Sequence, residues 1–186
     1  VFISGTGAYV PEKIVPNSFF EKVGSSDEWI YSKLGIKERR IVDGEATSDL
    51  AYKAGLEAVK NANLEVEDID LIIVATTTPD RQAPSCACFV QEKMKAYKAV
   101  AFDVAAVCSG ALFTISVGYQ FVKNSVYNNV LVIGADTFSN IIDWNRRDSV
   151  FFGDGAGALV LSKTDEDKGF IDFNLHSDGR GKEHFT

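Results

Sequence analysis

The sequence predicts an α/β fold: strands alternating with helices through right-handed crossovers, in a largely parallel sheet covered on both faces. Three observations carry this. LIIVATTT at 71–78 and VLVIGA at 130–135 are continuous apolar runs rich in β-branched residues, the pattern of strands buried on both sides. AVAFDVAAV at 99–107 is another such run. Helical spacing fills the gaps between runs, most clearly in SDLAYKAGLEAVKNA at 48–62, where Leu50, Ala51, Ala54, Ala58 and Val59 share one face.

The remaining elements follow in order. FISGTGAYV at 2–10 reads as a strand interrupted by glycines. NSFFEKV and SDEWIYSKLG read as short helical pieces, the second capped by Ser26 or Asp27, whose side-chain oxygens can accept free first-turn N–H groups. Residues 85–95 read as helical after Pro84. Residues 109–123 are apolar nearly all round, the pattern of an internal helix. GALVLS at 157–162 and FIDFNLH at 170–176 read as further strands, with the charged TDEDKG at 164–169 as a linker between them. No internal repeat is visible.

The 186 residues are 46% hydrophobic, enough for one sizeable core. A net charge of −7 argues against nucleic acid and anionic membranes as partners. No apolar run approaches the roughly 20 residues that span a bilayer, and no signal peptide is visible. The chain opens at Val1 without an initiator Met, which reads as trimming or processing. Three cysteines, Cys86, Cys88 and Cys108, make neither a disulfide framework nor a zinc signature. No metal is expected, and the setting is read as reducing and cytoplasmic.

Cys108, in FDVAAVCSGALF at 102–113, falls where a strand stops and a helix starts. Unpaired N–H groups and the helix dipole there favour negative charge, so a thiolate is stabilised. Gly110 would let a substrate approach the first turn. With sulfur in place of oxygen this is a nucleophile-elbow arrangement. Position alone leaves open the blander role of a small packed side chain. GDGAGA at 153–158 lacks the Gly-Lys-Ser/Thr of a phosphate loop and reads as glycines allowing close backbone packing in a strand.

FDVAAVCSG resembles the nucleophile motif of the β-ketoacyl-acyl-carrier-protein synthase III family. GTGAYVPEKIVPN, SSDEWIYSKLGIKERRI, LIIVATTTPDRQAPSCAC, FFGDGAGALVL and HSDG follow in that family's order and spacing. The resemblance covers essentially the whole chain. It implies a thiolase-like fold, the first βαβαβ half over 1–163, and a linker with the first strand of the second half over 164–186.

The resemblance also implies chemistry. Cys108 would attack the thioester of an acyl-CoA primer, with its own backbone N–H as an oxyanion donor. The acyl-enzyme would condense with malonyl-acyl-carrier protein and release carbon dioxide, without a cofactor. Trp29 matches a tryptophan that stacks on the CoA adenine, and Arg146 or Arg147 an arginine on the other side. Phe152 matches a phenylalanine near the nucleophile. A homodimer is implied, formed through the strand matching AVAFDV, with the 81–90 loop crossing to the partner.

Some positions depart from the family's usual pattern. Lys33 stands in place of an arginine that contacts CoA, keeping charge but losing the planar fork. Ala83 and Ala111 each stand where a phenylalanine is common, which suggests an acyl pocket with room for a longer primer. Ser109 replaces an alanine. The family's catalytic His and Asn lie in its second half, and neither His176 nor His184 matches them, so these residues alone would load a primer and not condense. The alternatives are a related condensing enzyme taking a longer primer, for quinolones, polyketides or long-chain products, and a non-catalytic dimerising module.

Overall fold

A computed structural model describes residues 1–181 and 183. Among these residues seven strands and four α-helices occur in the order β1 (Phe2–Tyr9), β2 (Lys13–Pro16), α1 (Asp27–Leu34), β3 (Glu38–Ile41), α2 (Thr47–Asn61), β4 (Leu71–Ala75), α3 (Cys86–Met94), β5 (Val100–Val104), α4 (Gly110–Lys123), β6 (Asn129–Thr137) and β7 (Asp154–Ser162). The main sheet runs β1-β7-β6-β4-β5, and β2 with β3 makes a separate two-stranded ribbon. The sheet is mixed where a largely parallel one was expected. β4 pairs parallel with β5 and β6, but β7 runs antiparallel to both β6 and β1. No α-helix separates β6 from β7, so the chain returns in the opposite direction.

Alternate residues of the central strands feed two cores. Ile72, Val74, Leu131 and Ile133 pack with α2 and α3, whereas Leu71, Ile73, Val130 and Val132 pack with Val122 of α4. Both faces are therefore covered. A third, smaller core of Val15, Phe20, Ile30 and Val150 lies under α1 and beside the ribbon.

The glycines of β1 have a specific cause. A Cβ on Gly5 would sit 2.3 Å from the Ala58 carbonyl oxygen, and one on Gly7 would sit 2.2 Å from that of Ala54. Strand and helix backbones touch there, which also explains the alanines on the α2 face. Ser26 caps α1 by accepting from the Trp29 N–H.

Several elements differ from the sequence expectation. β4 ends at Ala75, because Thr76, Thr77 and Thr78 turn inward and donate to one oxygen of Asp136 at 2.8–3.2 Å. β5 ends at Val104 and lies at the sheet edge, with Val100 47% exposed, so it is not a buried strand. α4 is not internal: it buries the stripe Gly110, Thr114, Gly118 and Val122, while Leu112 is 61% exposed. Among the described residues it is the single α-helix on its face, so no second helix covers its outward side.

Residues 170–176 form no strand; Phe170 donates its N–H to Val1, and Phe170 and Phe173 pack on Tyr119 of α4. A strand needs a neighbour for its ladder, and among the described residues none is placed there. His176 is exposed in this segment, and His184 lies outside the described residues.

Candidate active site

Three parallel strands, β4, β5 and β6, point their C-terminal ends at one region, where α/β sheets commonly hold their ligands. The chain leaving β5 turns sharply into α4 through a short 3₁₀ turn, Val107–Ser109, and Cys108 is its middle residue. Val107 takes φ 46°, a left-handed conformation that a β-branched side chain resists. Such strain costs about 1–3 kcal/mol and persists only where surrounding packing enforces it. Part of that packing is Gly110, where a Cβ would meet the Ala75 Cβ at 3.0 Å. Gly110 thus seats α4 on the end of β4, in place of the expected opening for a substrate.

The elbow presents Cys108 to solvent at the wall of an open cavity of about 420 Å³. The other two thiols are held differently. Cys86 is fully buried at the start of α3, and burial together with the Asp80 and Asp103 carboxylates pushes its thiol far up. Cys88 is half-buried and bonded to Ser85 and the Ala101 carbonyl.

The cavity exists because side chains vanish as β6 and β7 approach Cys108. On the α4 side of β6, Val130 and Val132 give way to Gly134; on β7, Leu161 and Leu159 give way to Gly157 and Gly155. Gly134 and Gly157 face each other across the ladder, and a Cβ on Gly157 would meet nothing within 4 Å. The expectation of close backbone packing holds at Gly153, against Arg39 and Arg40, but not at Gly157. Aromatic rings form the wall: Phe151 lines it, and Phe152 stacks on Phe138 at 5.0 Å. Asp136 also lines the cavity, tied to the threonine turn.

A second group of expected residues gathers on α1 and the 3₁₀ turn Arg147–Phe151. The Arg147 guanidinium lies 4.6 Å from the centre of the Trp29 ring. Arg146 points elsewhere, into an exposed ion pair with Asp148 at 2.7 Å. Lys33 is exposed one turn beyond Trp29 on the same helix. The structure does not bring Ala83 to the Cys108 cavity; it is exposed in the loop before α3. Ala111 sits on the first turn of α4, where it would be 3.3 Å from a Cβ on Gly134. Among the described residues, no three His, Cys, Asp or Glu side chains converge to hold a metal.

Sequence reading missed Gly134, Phe138 and Arg39. A lone glycine in an apolar strand was the available signal for Gly134. Arg39, a charged residue in a four-residue strand, is 5% exposed. Its guanidinium donates to the Val150 carbonyl and to Asn17 Oδ1, and lies over the Phe20 ring at 4.2 Å. Burial lowers its pKa from the ordinary arginine range.

A strained elbow that presents a cysteine over a cavity at the ends of parallel strands fits the thiolase-like α/β fold, and the structural neighbours share that fold. The model of 3-oxoacyl-[acyl-carrier-protein] synthase III matches residues 102–179, which include the elbow and the glycine floor. β-Ketoacyl-[acyl-carrier-protein] synthase III of Clostridium acetobutylicum is 52% identical over 98% of this chain. That of Caldanaerobacter subterraneus subsp. tengcongensis is 51% identical over 96%. The crystal structure of the Thermus thermophilus enzyme superposes with a TM-score of 0.92 at 41% identity, covering 98% of this chain and 58% of that one. Over nearly its whole length the chain matches an amino-terminal portion of 3-oxoacyl-[acyl-carrier-protein] synthase III proteins. It spans 57% and 55% of the length of the two curated relatives. Their shared name does not favour a longer-primer enzyme or a non-catalytic module.

Proposed function

We propose that this chain carries the primer-loading site of a 3-oxoacyl-acyl-carrier-protein synthase III. The observation that carries the reading is the exposed Cys108, held by a strained turn over a cavity floored by glycine. The Cys108 thiolate adds to the thioester carbonyl of an acyl-CoA, and the negative oxygen accepts from backbone N–H groups at the start of α4. The C–S bond to CoA then breaks, CoA leaves as its thiol, and the acyl group stays on Cys108. In the whole protein, malonyl-acyl-carrier protein loses carbon dioxide and its carbanion displaces Cys108, giving the 3-oxoacyl product. No cofactor enters this scheme. The His and Asn that the family uses for that second step lie outside the residues described here.

Trp29, Arg147 and Lys33 would hold the nucleotide end of CoA. The Arg147–Trp29 contact and the Arg146–Asp148 pair support assigning the adenine site to Arg147. At 4.6 Å the pair leaves no space for a purine, so Arg147 swings aside to admit it. Phe152 would line the acyl end of the site. Ala111, beside Gly134, would set the primer length, and Ala83 would act in the partner's site.

We place the enzyme in the cytoplasm as a homodimer. The exposed edge of β5 supports the dimer, and a monomer in sedimentation of the full-length protein at micromolar concentration would rule it out. Among the described residues no helix is long and apolar enough to cross a membrane.

The test is acyl-CoA-dependent release of carbon dioxide from malonyl-acyl-carrier protein by the full-length protein. Absence of release with every primer would overturn the reading. A strong preference for acetyl-CoA over octanoyl-CoA would remove the inference of a roomy pocket.

A further inference from the structure

The Trp29–Arg147 pair joins two elements far apart in sequence, and a buried polar chain connects their backbones. On one side is α1, whose first residue, Asp27, is exposed and carries the chain's outer carboxylate. Asn17, 2% exposed, donates from Nδ2 to Asp27 Oδ1 at 2.8 Å and to the Ile36 carbonyl at 2.7 Å. Its Oδ1 accepts from Arg39 Nη1 at 2.7 Å. Arg39 in turn directs Nε and Nη2 at the Val150 carbonyl, within the turn that carries Arg147.

The orientation of Asn17 is forced. Arg39 can only donate, while the Asp27 carboxylate and the Ile36 carbonyl can only accept, so the amide fits one way round. Among the described residues Arg39 has no carboxylate partner within ion-pair distance. Its buried charge is met by a carbonyl, an amide oxygen and the Phe20 ring, with Asp27 reached through the Asn17 amide. A buried guanidinium is costly unless every donor direction is used, and a rigid planar fork suits two fixed acceptors.

We propose that Asn17 and Arg39 are positioning residues that set the spacing between Trp29 and Arg147, and so the affinity for the nucleotide of the acyl donor. The inference rests on the reading of Trp29 and Arg147 as the adenine site. The network grips backbone at Val150, while the exposed Arg147 side chain is held by Trp29 and by a long bond from its Nε to Ser25 Oγ at 3.4 Å. The walls of the opening are therefore fixed through backbone, and its tip through side-chain contacts. A misplaced wall weakens a stacking contact without touching the chemistry at Cys108.

The test compares kcat/KM for acyl transfer from acyl-CoA with that from the matching acyl-pantetheine, which lacks the nucleotide, in the full-length protein. Trp29→Ala reports on the adenine site itself. Asn17→Ala and Arg39→Lys should lower the CoA-to-pantetheine ratio about tenfold. Asp27→Ala, at an exposed residue, should lower it in the same direction. Equal losses on both donors, or none, would show a merely structural role and overturn the proposal while a Trp29→Ala effect keeps the adenine site. If the two buried variants fail to fold, an unchanged ratio in Asp27→Ala overturns it. An unchanged ratio in Trp29→Ala would overturn both.

Discussion

The guanidinium carbon of Arg147 sits 4.6 Å from the centre of the Trp29 ring, whereas its neighbour Arg146 is turned away to Asp148. The two arginines are thus separated by local geometry that the sequence leaves undecided. We expect Trp29→Ala and Arg147→Ala each to raise KM for acyl-CoA about tenfold. Arg146→Ala should stay within about twofold, since an exposed pair contributes about 0–1 kcal/mol. Steady-state kinetics of the full-length protein checks this, and equal effects from the two arginines would contradict it.

Gly7 lies against the backbone of α2, and the neighbouring atoms are a carbonyl oxygen and an amide nitrogen that cannot rotate away. Gly7→Ala must push β1 off the helix. We expect a loss of at least about 3 kcal/mol, equivalent to a drop in Tm of about 10 °C. Thermal unfolding followed by circular dichroism decides it, and a shift under about 2 °C would mean that strand and helix separate easily.

Glu45 and Lys53 give a pH dependence with a defined sign. The Lys53 ammonium, hydrogen-bonded to the Glu45 carboxylate, holds its pKa below the usual range, with the Tyr9 hydroxyl adding to this and partial desolvation opposing it. A carboxyl depressed in the folded state contributes stability above its unfolded pKa of about 4.3, and that contribution is lost as pH falls through the lower folded value. The Tm difference between the protein and Glu45→Gln should therefore be largest above about pH 5 and shrink toward zero near pH 3. A difference independent of pH would contradict the assignment.

Much of this architecture is legible from local pattern. The β4 and β6 runs, the α2 face and the strand-to-helix turn at Cys108 all rest on short-range periodicity and turn chemistry. What is not legible depends on distant partners. β7 is apolar in either direction, so its antiparallel pairing with β6 is hidden. Thr76, Thr77 and Thr78 continue the β-branched pattern of β4, and only Asp136 turns them out of it. FIDFNLH has the composition of a strand, but no strand stands beside it among the described residues. In the site, Cys108 was marked by its turn, but Arg39 gains its place from contacts with Asn17 and Val150, residues distant in sequence.

The central claim is that Cys108 accepts the acyl group. The direct measurement is peptide mapping by mass spectrometry after the full-length protein is incubated with isotope-labelled acyl-CoA. We expect one acyl adduct, on the peptide containing Cys108, with Cys86 and Cys88 unmodified and no adduct in Cys108→Ala. An adduct that persists in Cys108→Ala would contradict the account.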